Sequence, residues 1–147
     1  MSDTARMSGS TERPPRRPRP IITRDNAFFW DGVQRGELLL QRCAGCGALR
    51  HPPAPMCPRC RSLQWNTRPA TGRGVVYSYC VPHEPPVPGF EVPYVVALVE
   101  LNEGLRLVTN LLGVDASQVR IGMPVRLEMV TVDTELTLPL FCPADEQ

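Results

Sequence analysis

The stretch CAGCGALRHPPAPMCPRC, residues 43–60, decides the fold of this chain. It holds two Cys-x-x-Cys pairs, Cys43 with Cys46 and Cys57 with Cys60, and ten residues separate the pairs. This spacing brings four thiolates around one tetrahedral metal ion, and zinc is the preferred ion for such a set. Four protein ligands leave no open position for water or substrate, so the sequence predicts a structural zinc site.

The residues around each pair suit thiolate ligands. Glycine at Gly45 and Gly47, and proline at Pro58, allow tight turns in which backbone amides point toward the sulfur atoms. Iron in a rubredoxin-like site would use the same four cysteines and would make the chain a small electron carrier. No aromatic residues surround the second pair, so the sequence favours zinc over iron.

The composition narrows the class of protein. The 147 residues fit one ordinary domain or two small modules, one of them stabilised by the metal. The net charge is +1, so no overall positive field attracts nucleic acid. We find no apolar stretch near the roughly 20 residues of a membrane span and no signal peptide, which predicts a cytoplasmic protein. In that reducing compartment Cys80 and Cys142 are predicted to be unreactive core thiols.

Composition divides the chain into four segments. Residues 1–20 are rich in Arg, Pro and Ser, which predicts a disordered, solvated tail, with weak nucleic-acid binding by its arginines as the alternative. Residues 21–36 are predicted to hold a short helix, and residues 37–70 a zinc ribbon with strands at 38–41 and 63–68. Residues 71–147 read as a series of alternating strands.

The predicted helix is capped by Asp25 and ends before Gly36. It carries three consecutive aromatic residues, Phe28, Phe29 and Trp30, and these cannot all face one side of a helix. Two interpretations remain open at this point. Either all three rings are buried against the rest of the chain, or some of them form a docking surface for another subunit.

The C-terminal segment has the layout of a small Greek-key barrel. The alternation of apolar residues predicts five strands, at 75–81, 94–101, 105–112, 125–132 and 137–142. A hairpin turn at 102–104 joins the second and third strands, and Asp115 begins one helical turn before the fourth. Tyr77 and Tyr79 are assigned to the core face of the first strand, and Val95 and Ala97 to that of the second. The sequence therefore predicts a mostly β protein with a closed five-stranded OB-fold barrel.

These features together resemble the DUF35 family over residues 26–144. The matching motifs are Phe29-Trp30, Gly36-Glu37-Leu38, Gln41-Arg42-Cys43 with Cys46-Gly47, Pro52-Pro53, Cys57-Pro58 with Cys60, Gly72 to Tyr79, Pro93-Tyr94, Gly122 to Val125 and Pro139-Leu140-Phe141. The resemblance implies an N-terminal helix, a rubredoxin-like zinc ribbon and an OB-fold. It also implies a non-catalytic partner of thiolase-fold enzymes, including acyl-CoA thiolases and the lipid-transfer-type aldolases of steroid side-chain degradation. The length of the chain, without a fused hydratase-like domain, predicts that the enzyme is a separate polypeptide.

The family role implies an acyl-CoA ligand, which requires cations for its phosphates. Arginines cluster in sequence around the two Cys-x-x-Cys turns, called the knuckles below, and around the first strand of the predicted barrel. Arg59, Arg61 and Arg73 are the predicted phosphate contacts. A solvated arginine face is the alternative.

No catalytic set can be assembled from the predicted strands, so we expect no catalytic residues in this chain. His51 is predicted either to bond a thiolate or to face solvent. The Pro-rich loop at 81–93 presents Phe90, which could close over an acyl chain, dock on a partner or pack on the barrel. A nucleic-acid-binding module is the second functional hypothesis, because zinc ribbons and OB-folds both bind nucleic acid in other settings.

Overall fold

The computed structural model describes residues 16–145 and contains one helix and eight strands within them. Helix α1 spans Ala27–Gln34. The strands are β1 (Leu39–Cys43), β2 (Leu49–Arg50), β3 (Trp65–Pro69), β4 (Arg73–Cys80), β5 (Val96–Leu101), β6 (Arg106–Asn110), β7 (Pro124–Asp133) and β8 (Leu136–Pro143), with a 3₁₀ turn at Ala116–Gln118 between β6 and β7. The predicted helix, hairpin turn and helical turn are all present. The two-residue strand β2 was not predicted.

The strands form two antiparallel sheets. The first has the order β2-β1-β3 and holds the four cysteines at one end. The second has the order β6-β5-β4-β7-β8. Its edge strands β6 and β8 are linked, within the described residues, by one parallel bridge between Leu111 and Phe141. A continuous ladder does not close this sheet, so the closed barrel stays a prediction.

Both sheets and the helix contribute to one apolar core. Phe29 and Val33 of α1 and Leu38 and Leu40 near β1 belong to the same buried cluster as the inner faces of the larger sheet. Phe141 belongs to this cluster and is fully buried. The ribbon and the larger sheet are therefore packed as one body through α1 and β1.

Strand β4 turns toward the core the face opposite to the predicted one. Val76 pairs with Val99 and is buried, and the register then shifts between Val76 and Ser78. Val75, before this shift, is already exposed, and Tyr77 and Tyr79 are 45% and 38% exposed, so the assignment of the two tyrosines to the core was wrong. Alternation shows which side chains share a face of a strand, but it does not show which of the two faces is buried when both carry apolar residues.

Strand β5 follows the predicted pattern. Its side chains alternate between buried and half-buried, and Ala97 and Val99 are fully enclosed. The hairpin to β6 turns at Gly104, which has a φ of 88° and donates its backbone N–H to the Leu101 carbonyl at 2.8 Å. A left-handed residue at that turn favours glycine.

The N-cap of the helix lies one residue later than predicted. Asn26 occupies the N-cap position, and its side chain does not cap the helix. Its Oδ1 instead accepts the Thr23 backbone N–H at 2.7 Å, and its Nδ2 donates to the Ile21 carbonyl. The amide therefore fixes the turn that leads into α1 rather than the first turn of α1, so the assignment of Asp25 as the cap was wrong.

Residues 16–20 of the predicted tail make side-chain contacts with the larger sheet, whereas residues 1–15 lie outside the described residues. Arg17 donates to the Asn110 side chain at 3.1 Å. Arg19 forms a 2.6 Å ion pair with Asp133, and Arg16 lies 3.7 Å from Glu135. These residues, called the N-terminal segment below, cross the sheet near the end of β7. In the described part of the chain, no helix has the length and apolarity to cross a bilayer.

Candidate metal centre and apolar cleft

The four predicted cysteines meet at one end of the small sheet. Their sulfur atoms all lie within 4.8 Å of one another, with Cys43 and Cys57 buried and Cys46 and Cys60 exposed. The first knuckle directs backbone N–H groups at sulfur: those of Gly45 and Cys46 lie 3.3 and 3.5 Å from Cys43 Sγ. Such donors stabilise a thiolate, as the two turns predicted.

These donors change the acidity of the thiols. The backbone N–H of Cys46 is the largest cause that lowers the pKa of Cys43, which falls to about 6. The backbone N–H of Cys60 is the largest cause that lowers the pKa of Cys57. At Cys60 the backbone N–H of Ser62 lowers the pKa. The neighbouring thiols, among which Cys43 has the largest effect, act in the opposite direction, and the pKa rises to about 11. Amide donors thus favour the thiolate at Cys43 while neighbouring thiols oppose it at Cys60, and a bound cation would stabilise both thiolates.

The donor set fits zinc. Four sulfur ligands, in two knuckles with amide donors behind them, match a closed tetrahedral site. The two knuckles also share a backbone shape, because Gly47 and Arg61, each one residue after the second cysteine, have φ values of 78° and 65°. Bound there, zinc would supply folding free energy rather than reactivity.

Two buried polar residues hold the loop between the knuckles. Gln41 Oε1 accepts the backbone N–H of Ala54 at 2.9 Å, and Arg50 donates twice to the Ala54 carbonyl, at 3.1 and 2.8 Å. Sequence reasoning missed this role. Gln41 and Arg50 pair directly between β1 and β2, and the only signal was two polar residues in short apolar strands.

This loop carries His51 to an apolar cleft rather than to the thiolates. The His51 ring centroid lies 5.6 Å from that of Phe29, and burial lowers the His51 pKa. His51 is half-buried, so neither predicted alternative, a bond to a thiolate or simple exposure to solvent, describes it. Its ring nitrogens have no hydrogen-bond partner among residues 16–145.

The cleft lies where α1, the ribbon loop, the Pro-rich loop and the larger sheet meet. Its volume is about 540 Å³, and its lining is Arg17, Asn26, Phe29, Trp30, His51, Pro53, Phe90, Tyr94, Val96, Leu107, Val108, Thr109, Asn110, Leu138, Pro139 and Leu140. Phe90 stacks on Tyr94 with ring centroids 4.8 Å apart, and the Arg17 guanidinium lies 4.6 Å above the Phe90 ring. Phe90, predicted as an apolar loop tip, is therefore part of a wall of this cleft.

The three aromatic residues of α1 have three different surroundings. Phe29 is buried in the core, whereas Trp30 is half-buried and lines the cleft. Phe28 packs on Trp65 of β3 with ring centroids 4.8 Å apart. Trp65 is 36% exposed, and nearby in sequence Leu63 is 64% exposed. We call Phe28, Leu63 and Trp65 the ribbon patch.

The structure does not bring the three predicted phosphate-binding arginines to one cleft. Arg59 lines a cleft between the ribbon and the hairpin, together with Arg50 and Glu103. Arg73 lines a different cleft beside Asn102 and Asp145. Arg61 is exposed at the end of the second knuckle. Their contact with CoA stays a prediction.

The two remaining cysteines differ from each other. Cys142 is buried, and burial raises the pKa of its thiol. Cys80, at the end of β4, is exposed, so its prediction as a core thiol was wrong. Cys80 follows three other exposed residues of that strand, Tyr77 to Tyr79.

Two family models match the chain. Residues 30–66 match the rubredoxin-like zinc ribbon domain of ChsH2, and residues 67–130 match its C-terminal OB-fold domain. A DUF35 domain-containing scaffold protein of Methanothermobacter thermautotrophicus is 33% identical over 96 residues, which cover 64% of this chain and 72% of that protein.

Two longer bacterial proteins are also similar to the chain. A probable enoyl-CoA hydratase alpha subunit of Thermomonospora curvata is 57% identical over 139 residues, which cover 93% of this chain and 44% of that protein. The 3-oxo-4,17-pregnadiene-20-carboxyl-CoA hydratase alpha subunit of Mycobacterium tuberculosis is 53% identical over 108 residues, 74% of this chain and 34% of that protein. The chain thus spans less than half the length of either relative.

One solved structure, described as an Ltp2-ChsH2(DUF35) aldolase, contains a chain with the same fold. The TM-score is 0.83 at 58% sequence identity, and the match covers 85% of this chain and 98% of that one.

Proposed function

Because this chain belongs to the DUF35 family, we propose that it is a non-catalytic accessory subunit that binds a thiolase-fold enzyme acting on acyl-CoA. The observation that carries the proposal is the match to nearly the whole DUF35 chain of an aldolase that also contains Ltp2. An archaeal relative bears the name of scaffold protein, which fits the same role. The names of the two longer relatives support CoA thioesters as the substrate class, and one of them supports a steroid-derived acyl group.

The ribbon patch is the surface that best fits a partner in this proposal. Phe28 and Trp65 place two contacting aromatic rings, tilted by 50°, near in sequence to the exposed Leu63. Aromatic side chains are enriched at protein interfaces because they bury a large area at low entropic cost. The closed zinc site stiffens the strand that carries Trp65, since Trp65 pairs with Cys43.

The proposal is tested by purifying the tagged protein gently from its native host, grown on a lipid or sterol carbon source. Mass spectrometry of the eluate should find a stoichiometric thiolase-fold protein. The double variant Phe28→Ala/Trp65→Ala should lose that protein. Ile121→Ala removes an equally apolar side chain, 69% exposed and far along the chain, and should retain it. Elution of the wild-type protein alone would contradict the accessory role.

Acyl-CoA binding is part of the same proposal, with Arg59, Arg61 and Arg73 as candidate phosphate contacts. These arginines lie at separate places, so a single phosphate cannot engage all three. We expect Arg59→Ala, Arg61→Ala and Arg73→Ala to differ in their effect on CoA affinity of the complex, measured by calorimetry. Equal and negligible effects would remove all three from the site.

Nucleic-acid binding remains the second candidate because Tyr77 and Tyr79 are exposed. Aromatic side chains on the strands of OB-folds stack on bases. However, the Arg106 guanidinium lies 3.7 Å from the Tyr77 ring centroid and covers one face of that ring. Tight, salt-dependent binding of single strands that is lost in Tyr79→Ala would support this candidate.

A further inference from the structure

The apolar cleft has the size and composition of a small-molecule site. Its volume of about 540 Å³ lies within the range of roughly 300–1,000 Å³ that is typical of ligand pockets. Aromatic and aliphatic side chains form most of its wall, from Trp30 on one side to Leu138 on the other. Val108 on β6 is 68% exposed and lines the cleft, so its mouth opens to solvent at that strand.

The position of the cleft in the fold supports the same reading. Strands β5 and β6 are the second and third strands of the larger sheet in chain order, and Val96 and Val108 on them face the cleft. The loop between the first and second strands contributes Phe90 and Tyr94. OB-folds bind their ligands on this face and with this loop. Here the lining is apolar instead of basic, which selects a different class of ligand.

Two polar groups at the cleft are available to a ligand. Arg17 is half-buried and its pKa is lowered by desolvation, yet in residues 16–145 it has no acidic partner; it contacts the Asn110 amide oxygen and the Phe90 ring. His51 packs on Phe29 and its ring nitrogens have no partner in the same part of the chain. A partly desolvated cation without a counter-charge favours an anionic or strongly polarised oxygen atom.

We propose that this cleft binds the apolar body of a carboxylic acid or of its thioester, with the carboxylate or carbonyl oxygen at Arg17. The apolar walls take the chain or fused rings, and His51 contacts a second polar atom of the ligand. The inference deepens the proposed function, because it gives the accessory subunit a binding site for the acyl part of the partner's substrate. It does not depend on the partner, because the whole cleft belongs to this chain.

The test uses the isolated full-length protein and two probes of different shape. Laurate offers a straight chain and lithocholate a fused ring system, each with one carboxylate and each used below its micelle concentration. Calorimetry should show one-to-one binding of at least one probe, and the probe that binds identifies the shape of the apolar body. Trp30 lines the cleft and Trp65 does not, so in a Trp65→Phe background the emission of Trp30 should shift to shorter wavelength on binding.

Matched variants locate the bound probe. Arg17→Ala should weaken carboxylate binding about ten-fold, the loss expected for one charged hydrogen bond, and should affect the methyl ester of the same probe less. Arg16→Ala, a change of the same side chain one residue away, should leave affinity unchanged because Arg16 faces Glu135. Leu138→Trp should fill the cleft and abolish binding, and a thermal melt will show that it is folded.

Two outcomes would overturn the proposal. One is a folded wild-type protein that binds neither probe. The other is a folded Leu138→Trp variant that binds as tightly as wild type. Leu138 lies outside the ribbon patch, so the Leu138→Trp variant should still capture the enzyme partner. A failure of the ligand proposal can therefore be told apart from a failure of the proposed accessory role.

Discussion

Cys43 and Cys80 carry the same thiol, and their surroundings give the two groups different chemistry. Cys43 receives two backbone N–H groups and has three other sulfur atoms within 4.8 Å, whereas Cys80 stands exposed at the end of a strand. Ligation therefore depends on turn geometry and on neighbours, not on the presence of a cysteine. Spacing along the chain captured this difference, because only one set of cysteines has the paired Cys-x-x-Cys pattern.

Replacing one ligand should unfold the zinc ribbon. Cys43→Ser or Cys60→Ser removes a sulfur from a site whose metal supplies on the order of 10 kcal/mol of local folding free energy. Elemental analysis should find the zinc content reduced to near zero. The control Cys80→Ser should keep one zinc per chain. Full zinc content in either ligand variant would contradict the assignment of these residues.

A second residue-scale prediction concerns Asp133. The Arg19 guanidinium, the largest cause, and the backbone N–H of Glu135 hold the pKa of this carboxyl below its usual range. The folded state is therefore favoured above the usual aspartate pKa of about 3.9, and this contribution is lost as the pH falls through the lower, folded value. An NMR titration should show a higher Asp133 pKa in Arg19→Ala.

Arg24→Ala serves as the control for this titration. Arg24 lies five residues away and is exposed, so its removal should leave the Asp133 pKa unchanged. An unchanged value in Arg19→Ala would mean that the N-terminal segment does not hold this carboxyl in solution.

At the scale of elements, α1 serves three neighbours through three consecutive rings. Phe29 enters the core, Trp30 lines the cleft and Phe28 joins the ribbon patch. Only Phe29 is fully buried, and a docking role for the other two rings stays a prediction. Three adjacent positions on a helix point in directions about 100° apart, so the sequence could show that the rings diverge but not what each one meets.

Truncation of the buried ring of α1 should destabilise the folded protein. Phe29→Ala should lower the free energy of unfolding by about 3–5 kcal/mol, the usual cost of removing a buried phenylalanine. Urea denaturation will measure this value. Ile22→Ala, which shortens a side chain that is 59% exposed, should cost less than about 0.5 kcal/mol. Equal losses in the two variants would show that α1 does not pack as described.

Strand β4 marks the limit of prediction at this scale. Its ends were close to the prediction of 75–81, yet its faces were the reverse of the predicted ones, since Val76 is buried and Tyr77 and Tyr79 are exposed. The hydrophobic pattern could not reveal which face is buried, because Val75, Val76, Tyr77 and Tyr79 allow either choice. Strand β5, with a clean alternation, was predicted correctly.

At the scale of the whole molecule, the metal centre was readable from sequence and the cleft was not. The four cysteines lie within 17 residues of one another along the chain. The cleft combines residues from Arg17 to Leu140, contributed by the N-terminal segment, α1, two loops and the larger sheet. Only tertiary packing brings these parts together, so no local sequence pattern predicts the cleft. The sequence did single out two of its walls, the aromatic helix and the Pro-rich loop.

Removal of the metal should weaken the larger sheet as well as the ribbon. Leu38 directly precedes β1 and Leu40 lies in it, and both side chains belong to the same buried cluster as Val99 and Phe141. We therefore expect chelation of zinc to lower the melting temperature of the whole chain, seen in calorimetry as one transition that moves to lower temperature. Two separate transitions, with the upper one unmoved, would show that the ribbon and the larger sheet unfold independently.

The shared core also limits how this chain can be recombined with others. The two family models meet between residues 66 and 67, inside strand β3 (Trp65–Pro69). A chimera joined at that point would cut β3, which pairs with β1. Leu40 of β1 and the preceding Leu38 belong to the buried cluster that also holds the core of the C-terminal half. Grafting the C-terminal half onto a foreign ribbon would therefore require α1 and β1 to be transferred with it. The segment that can be exchanged between proteins is thus longer than the segment that the OB-fold family model matches.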